Sequence, residues 1–358
     1  MSVYSKRRER VREGLGDAGD ALLVTDATNV RYLTGFTGSN GQLLLDAKPV
    51  FMTDGRYEEQ AANEVPDLER VVYSGSTKLT DVLGGLVADR GVRKLAVEAP
   101  HMSIATRDRF ASALEGVELA SSSDLVETAR RSKDSTEIDA IRRAQRIAEA
   151  AVGSVLSEWS DGTEAELALA LEWAIRTGGA EGVSFDVIVA TGAHAALPHA
   201  TPRRVRADLD GVLLIDIGAK ADGYCSDMTR TYLGPQAPAA LVQAHASVLD
   251  ALALACDAVR PGARAADVDR VARDRLDADG LGELFVHSTG HGVGLDIHEA
   301  PSLTITSEDV LEPGMIVTIE PGVYLPGVGG IRIEDLLVVT DAGADNLTAL
   351  DRSGELPA

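Results

Sequence analysis

The sequence is short of cysteine, of positive charge and of long apolar runs. Its two cysteines, Cys225 and Cys256, are too few for a disulfide framework, so a reducing cytoplasm is the expected compartment. A formal net charge of −22, from 34 basic and 56 acidic residues, argues against nucleic acid or an anionic membrane surface as a partner. We find no apolar stretch of about 18 residues and no apolar run after the basic N-terminal residues, so neither a transmembrane helix nor a secretory signal is expected.

The chain is long enough for two domains, because single cores rarely grow past about 250–300 residues and this chain has 358. Its first part alternates short strands with helical stretches, which is typical of an α/β domain. The predicted strands are 21–26, 41–46, 48–54 and 94–100, and the predicted helical stretches are 55–64 and 78–90. A charged segment then precedes a strong helix start, so we predict one domain over 1–127 and a second over 128–358.

The second part begins with helices and ends with strands, which predicts an α+β domain. Asp134 with Glu137, and Thr163 with Glu166, have the spacing of capping boxes that start two helices. The remaining predicted elements are a strand over 184–192, a hairpin over 211–233 and helices over about 238–259 and 265–278, followed by strands and glycine-rich turns.

The predicted hairpin places two acids, Asp216 and Asp227, inside apolar strands, where an unpaired carboxylate is costly. A two-residue loop at 221–222 would put the two acids directly opposite each other. A type I′ turn at 222–223 would put Thr229 opposite Asp216, with Asp227 on the diagonal. Either register leaves both carboxylates on one face within roughly 4.5–8 Å, whereas a three-residue loop would separate them.

Two carboxylates on one face repel each other, so something must compensate. The candidates are a shared proton, as in an aspartic-protease dyad, a basic partner or a cation. Arg230 is the nearby basic residue, but its odd offset from Asp227 points it to the other face.

Further residues of the second domain favour the cation. The glycine-rich segment 286–301 holds His287, His291 and His298, and two more acids, Glu320 and Glu334, lie inside apolar strands. Carboxylates with an imidazole suit manganese, cobalt or zinc. Four carboxylates match the charge of two divalent ions, which together would activate a bridging water. The implied chemistry is hydrolysis.

This pattern resembles a known family. The spacing of Asp216, Asp227, His291, Glu320 and Glu334 is similar to the five-ligand set of the pita-bread metallopeptidases. The segments IDIGAKADGYCSDMTRT, STGHGVGLDIHE, VTIEPGVY and IRIED resemble its proline-specific branch, the prolidases and aminopeptidases P, and DATNVRYLTGFTGSNG and FMTDGRYEEQA resemble the N-terminal domain of that branch. The resemblance covers nearly the whole chain. It implies a creatinase-like α/β domain followed by an α+β pita-bread catalytic domain.

The resemblance also implies roles for the acids and for one histidine. Asp216 would bind one metal ion, His291 and Glu320 the other, and Asp227 and Glu334 would bridge both. Glu320 would also shuttle protons for a bridging hydroxide, the nucleophile.

Other residues match positions around the substrate. His199 resembles the histidine that lines the substrate pocket, and His287 and His298 match the pair expected to hold the substrate and stabilise the tetrahedral intermediate. Tyr324 and Arg332 resemble residues that orient a ligand or water. Arg332 lies two residues before Glu334, and we expect it to share the face of that acid.

The implied function is a dinuclear peptidase that cleaves the bond before proline. Manganese is the expected metal, with cobalt or zinc as alternatives, and a homodimer is the expected assembly. The compact length favours dipeptides (an Xaa-Pro dipeptidase) over longer peptides (an aminopeptidase P). A non-catalytic peptide-binding module on the same fold is the alternative from another class, and it would bind no ions. His194 matches no motif and is interpreted as a loop residue.

Overall fold

The computed structural model describes residues 2–357, which form two compact units that divide between Arg130 and Arg131. The boundary predicted at 127/128 falls inside the last helix of the first unit, Leu125–Arg130. Each unit has its own buried core.

The first unit is an α/β domain around a six-stranded sheet. Its elements are α1 (Val3–Leu15), β1 (Ala21–Val24), α2 (Ala27–Thr34), β2 (Gly41–Leu45), β3 (Val50–Asp54), α3 (Glu58–Glu64), β4 (Glu69–Tyr73), α4 (Leu79–Asp89), β5 (Lys94–Glu98), α5 (Ile104–Ala113), β6 (Glu118–Ser122) and α6 (Leu125–Arg130). The strand order is β4-β3-β2-β1-β5-β6, with β1–β2 and β2–β3 antiparallel and the other pairs parallel. Strand β1 is buried at every residue, which explains its unbroken apolar sequence.

The second unit combines helices with several small sheets. Its elements are α7 (Ser135–Glu158), α8 (Glu164–Thr177), β7 (Gly182–Val183), β8 (Ile188–Thr191), β9 (Val212–Ile217), β10 (Ala219–Ala221), β11 (Tyr224–Cys225), β12 (Met228–Leu233), α9 (Ala239–Ala258), α10 (Ala265–Ala278), β13 (Gly290–Gly292), β14 (Glu299–Leu303), β15 (Ile316–Ile319), β16 (Gly322–Leu325), β17 (Gly329–Arg332), β18 (Asp335–Val339) and β19 (Ala344–Asn346). The sheets have the orders β12-β9-β8, β11-β10-β7, β14-β13-β15-β18-β19 and β16-β17.

Both predicted helix starts of this unit are confirmed. The Asp134 side chain accepts the backbone N–H of Glu137, whose carboxylate accepts the N–H of Asp134 in return. Thr163 and Glu166 make the same reciprocal pair at the start of α8. Each box satisfies backbone donors that the first turn of a helix leaves free.

The hairpin turns at Asp222-Gly223, as one of the two predicted registers requires. Asp222 has φ +50° and Gly223 φ +84°, the positive values of a type I′ turn. Strands β9 and β12 are antiparallel, with Asp216 opposite Thr229. Asp216 and Asp227 therefore lie on the diagonal of one face.

Strand β9 separates two cores. Leu213 and Ile215 pack with the helices α7 and α8, while Leu214 packs with α9 and with strands β15 to β17. Because side chains alternate along a strand, Asp216 points to the same side as Leu214. This alternation directs Asp216 toward the strands that carry the other predicted site residues.

Helix α9 corrects one expectation. Among the described residues, α9 alone is long and apolar enough to cross a membrane, so the expectation that no such stretch exists is wrong. Its buried side chains, including Leu241, Val248 and Leu252, belong to the core that also contains Val317 and Ile331. A helix in the core of a globular domain has the same composition, and the packing of α9 explains its apolar sequence in this way.

Candidate metal centre

Asp216 and Asp227 lie where strands β9 and β12 approach closely. Asp216 is the second-last residue of β9, and Asp227 directly precedes β12. Between them a Cβ on Gly218 would come within 1.9 Å of the Ser226 carbonyl oxygen, so this position accepts only glycine without a backbone shift.

His291 is held on β13 between two glycines that have no room for side chains. A Cβ on Gly290 would lie 1.9 Å from the Thr318 carbonyl oxygen, and one on Gly292 would lie 2.4 Å from that of Ala300. Nδ1 of His291 is 3.0 Å from the carbonyl oxygen of Gly292, which can only accept, so Nδ1 carries the proton. The imidazole therefore offers an unprotonated Nε2 to the site.

Three side chains meet around that Nε2. Oxygen or nitrogen atoms of Asp227, His291 and Glu334 all lie within 4.8 Å of one another. Nε2 of His291 is 3.5 Å from Oδ2 of Asp227 and 3.6 Å from Oε1 of Glu320. Glu320 follows the end of β15, and Glu334 lies between β17 and β18.

The acids of this cluster raise each other's pKa. Burial, followed by the charges of Glu334 and Asp216, raises the pKa of Asp227 well above its ordinary value. Burial and the charges of Glu320 and Asp216 do the same for Glu334. Burial also lowers the pKa of His291 to about 4, so its imidazole is neutral at pH 7.

Asp216 has a basic partner, Arg332. The guanidinium donates a 2.6 Å hydrogen bond from Nη2 to Oδ2 of Asp216 and a 3.1 Å bond from Nε to Oγ1 of Thr229. Arg332 was expected to share the face of Glu334, and both side chains contact the Thr229 hydroxyl, which accepts from Arg332 and donates to Glu334 at 2.8 Å. The direct carboxylate partner of Arg332 among residues 2–357 is Asp216.

A hydrogen-bonded chain continues from Arg332 to His287. Nη1 of Arg332 donates to the Tyr324 hydroxyl at 2.6 Å, and that hydroxyl lies 2.8 Å from Nε2 of His287. Nδ1 of His287 is 2.8 Å from the Ser288 carbonyl oxygen and must donate to it. Tyr324 therefore donates to Nε2 of His287. Burial, together with the charge of Arg332, lowers the pKa of His287 to about 4.

The two remaining predicted histidines are exposed. The His298 ring packs edge-on against the His291 ring, with centroids 4.4 Å apart. His199 lies on the loop 192–202, whose Pro198 carbonyl oxygen accepts from Arg332 at 3.2 Å. The charge of His199 also contributes to lowering the pKa of His287, after burial and Arg332, so these two rings lie near each other.

Several residues that support the site were not predicted from the sequence. Asp269 of α10 is fully buried and accepts from Arg273 and from the backbone N–H of Thr289. Arg273 in turn donates to the His287 carbonyl oxygen at 2.6 Å. An Asp and an Arg four residues apart on a helix are common on solvated surfaces, so nothing local distinguished this pair. Arg230, as expected, points away from the site and pairs with Asp335.

The donor set fits divalent metal ions. It combines carboxylate oxygens with one neutral imidazole, the ligands that hard and borderline divalent ions prefer. Oδ1 of Asp216 is buried and has no hydrogen-bond partner among residues 2–357. A cation bound among these acids would explain both the unpartnered Oδ1 of Asp216 and the raised pKa of Asp227 and Glu334.

Comparisons with known proteins agree with this chemistry. Residues 139–341 match metallopeptidase family M24, and residues 7–132 match the creatinase/prolidase N-terminal domain. The chain is 38% identical over 343 residues to the peptidase YqhT of Bacillus subtilis, covering 95% of this chain and 97% of that one. It is also similar to the solved Xaa-Pro dipeptidase of Bacillus anthracis (TM-score 0.94, 37% identity, 98% of each chain). The X-Pro aminopeptidase of Thermotoga maritima is similar as well (TM-score 0.90, 34% identity, 97% of this chain and 98% of that one).

The expected architecture, a creatinase-like domain followed by a catalytic domain, is confirmed by these matches. The family match spans more than half of the chain, and the similar proteins align along nearly all of it. The chain therefore belongs to metallopeptidase family M24.

Proposed function

We propose that this chain is an Xaa-Pro dipeptidase that works with two divalent metal ions. The observation that carries the proposal is the convergence of Asp227, His291 and Glu334 within 4.8 Å, with Glu320 3.6 Å from His291. The names of the similar solved structures support a bond to proline as the target, and one of them is an Xaa-Pro dipeptidase.

In the proposed arrangement, Asp216 would hold one ion, His291 and Glu320 would hold the other, and Asp227 and Glu334 would be shared by both. The free Oδ1 of Asp216 supports a ligand role for that residue. When bound, such ions supply an activated water and polarise the scissile carbonyl. We propose manganese as the metal, because carboxylate-rich sites suit it; cobalt or zinc would be accepted by the same ligands.

Glu320 is the proposed proton carrier. Burial, opposed by the charge of Arg332 and reinforced by the charge of Asp216, raises the pKa of Glu320 to about 7. A carboxyl group that titrates near neutrality can take a proton from the attacking water and return it to the leaving prolyl nitrogen. This transfer leaves the new carboxylate and the free imino acid as products.

The histidines divide into two proposed groups. His287 was expected to hold the substrate, but both its ring nitrogens are engaged, by Ser288 and by Tyr324, so we propose that it holds Tyr324 and Arg332 in place instead. The exposed His199 and His298 are the side chains proposed to contact the peptide and its tetrahedral intermediate. Tyr324, buried between His287 and Arg332, would line the substrate pocket.

The leaving group explains why a dedicated pocket is needed. A prolyl nitrogen carries no hydrogen, and its ring restricts the preceding residue to extended conformations. A site that recognises this shape can hold the scissile bond without a donor from the substrate amide.

We further propose a homodimer located in the cytoplasm. Both cysteines are free, Cys225 buried and Cys256 partly buried, which suits a reducing compartment. The dimer is proposed from the family resemblance.

The test compares three peptides on the purified full chain, stripped of metal and reloaded with manganese. We expect hydrolysis of an Xaa-Pro dipeptide, slower or no hydrolysis of the matched Xaa-Pro-Yaa tripeptide, and none of the Xaa-Ala dipeptide. Elemental analysis under saturating metal should show about two ions per chain. Cleavage of the tripeptide alone would instead make the chain an aminopeptidase P. The absence of both ions and hydrolysis would support the non-catalytic binding module.

A further inference from the structure

Glu164 is another buried carboxylate, and it is not one of the proposed metal ligands. It is the first residue of α8, and its side chain is fully buried. Oε1 accepts the backbone N–H and the hydroxyl of Thr191 at 2.9 and 2.8 Å. Oε2 accepts the backbone N–H of Arg203 at 3.0 Å, and the Arg203 guanidinium contacts both oxygens at 2.9 and 2.7 Å.

These partners are the two ends of one loop. Thr191 ends β8, and Arg203 follows the loop 192–202, so a single carboxylate joins residues on either side of that loop. The backbone of α8 adds to this junction, because the N–H of Ala165 donates to the Arg203 carbonyl oxygen at 3.0 Å. His194 lies in the loop, as expected from the sequence; its Nδ1 is 3.3 Å from Oε2 of Glu164 but has no hydrogen-bond partner among residues 2–357.

The middle of the same loop rests against β17. A Cβ on Gly330 would come within 2.1 Å of the Ala195 carbonyl oxygen, which shows how closely the loop approaches that strand. Arg332, the last residue of β17, donates to the carbonyl oxygen of Pro198, the neighbour of His199. The loop is thus held at its ends by Glu164 and in its middle by the strand that also holds Asp216.

The environment of Glu164 stabilises its ionised form. Burial opposes ionisation, but hydrogen bonds from Arg203 and Thr191 outweigh it and lower the pKa of Glu164 to about 2. The carboxylate is therefore ionised at neutral pH. Arg203 keeps 43% of its side chain exposed, so the buried member of the pair is Glu164.

We propose that Glu164 is a positioning residue that fixes both ends of the loop 192–202 and thereby presents His199 to the peptide. The assignment rests on the proposed function, because that function makes His199 a substrate contact. Glu164 touches no reacting atom; it acts through the loop.

The test substitution is Glu164→Gln, which keeps the shape but replaces one acceptor by an amide that cannot accept from Arg203. We expect the KM for an Xaa-Pro dipeptide to rise about tenfold, the loss of one well-placed contact, while kcat and metal content change little. Amide hydrogen exchange of the 192–202 peptide should accelerate in the substrate-free protein. The matched control is Glu166→Gln, in the same helical turn; it should leave both the KM and the exchange of this peptide unchanged.

A double-mutant cycle decides whether Glu164 acts through His199. If it does, Glu164→Gln added to His199→Ala raises KM no further than His199→Ala alone. Independent, additive effects, or unchanged exchange of the loop in Glu164→Gln, would overturn the proposal. Should Glu164→Gln fail to fold, Arg203→Gln removes the same pairing from its exposed side and faces the same criteria. The exchange measurement needs no substrate, so it tests Glu164 even if the wild-type chain cleaves no Xaa-Pro peptide and the proposed function fails.

Discussion

Arg332 donates a 2.6 Å hydrogen bond to Asp216 across 116 positions of the sequence. Among the residues that the structure describes, Asp216 is the only one of the clustered acids that accepts a hydrogen bond from a guanidinium. Asp227 and Glu334 have a raised pKa and are buried without such a partner. Arg332 thus pairs directly with Asp216, whereas its charge offsets those of Asp227 and Glu334 only in part, which leads to the first prediction.

Asp227→Asn should stabilise the metal-free protein and abolish the stabilisation that metal binding gives. The raised pKa of Asp227 means that its charged form destabilises the metal-free fold at pH 7, so the neutral amide removes a repulsion. Without metal, the Tm should rise, by about 2–4 °C for each kcal/mol gained. With manganese, the wild-type Tm should climb and the variant Tm should not. Thermal unfolding after chelator treatment and after metal addition measures both, and equal metal-dependent shifts would contradict the bridging role. Peptidase activity should be lost in the variant.

Arg332→Lys should impair catalysis although the positive charge is kept. A lysine ammonium cannot reach Asp216, Tyr324 and Thr229 together with the planar geometry that the guanidinium provides. We expect kcat/KM to fall about 10–100-fold, the usual cost of losing a group that orients metal ligands. Arg270→Lys, an exposed residue of α10, is the control and should behave as wild type. Steady-state kinetics at saturating manganese test the prediction, which fails if the two variants are indistinguishable.

Gly290→Ala should displace His291. The added Cβ would lie 1.9 Å from the Thr318 carbonyl oxygen, so strand β13 must move away from β15. We expect a destabilisation of about 1–3 kcal/mol and weaker metal binding. Gly85→Ala is the matched control, because a Cβ there meets nothing within 4 Å and the residue lies in helix α4. That substitution should stabilise the protein slightly. Urea unfolding and metal titration distinguish the two, and equal stability of both variants would refute the steric argument.

The stabilising effect of Glu164 should depend on pH. Its pKa is lowered from 4.5 to about 2 in the folded chain, so the ionised form stabilises the fold above pH 4.5. This contribution is lost as the pH falls from 4.5 through about 2, because the carboxylate is then protonated in both states. At pH 7 the Glu164→Gln variant should be about 1–3 kcal/mol less stable, because hydrogen bonds to a buried carboxylate are lost while Arg203 remains partly exposed to solvent. The free energies of unfolding of wild type and variant should converge toward acid pH; a constant difference would contradict the assignment.

Local chemistry determined much of this structure. The φ values that Asp222-Gly223 adopts set the hairpin register, and side-chain alternation then places Asp216 and Asp227 on one face. The two helix starts follow in the same way from capping residues three positions apart. These features depend on neighbours in sequence, so the residues themselves predicted them. The spacing of the site residues was also enough to show the resemblance to the family.

Only the tertiary structure decided which distant groups became partners. Nothing in the sequence near Arg332 indicates its pairing with Asp216, and nothing near Glu164 indicates its contacts with Thr191 and Arg203. Such choices depend on distances between elements that meet only after packing. The apolar sequence of α9 poses the same problem, because composition alone suits a membrane span and a core helix equally, and only the structure places its buried side chains in the core that contains Val317 and Ile331.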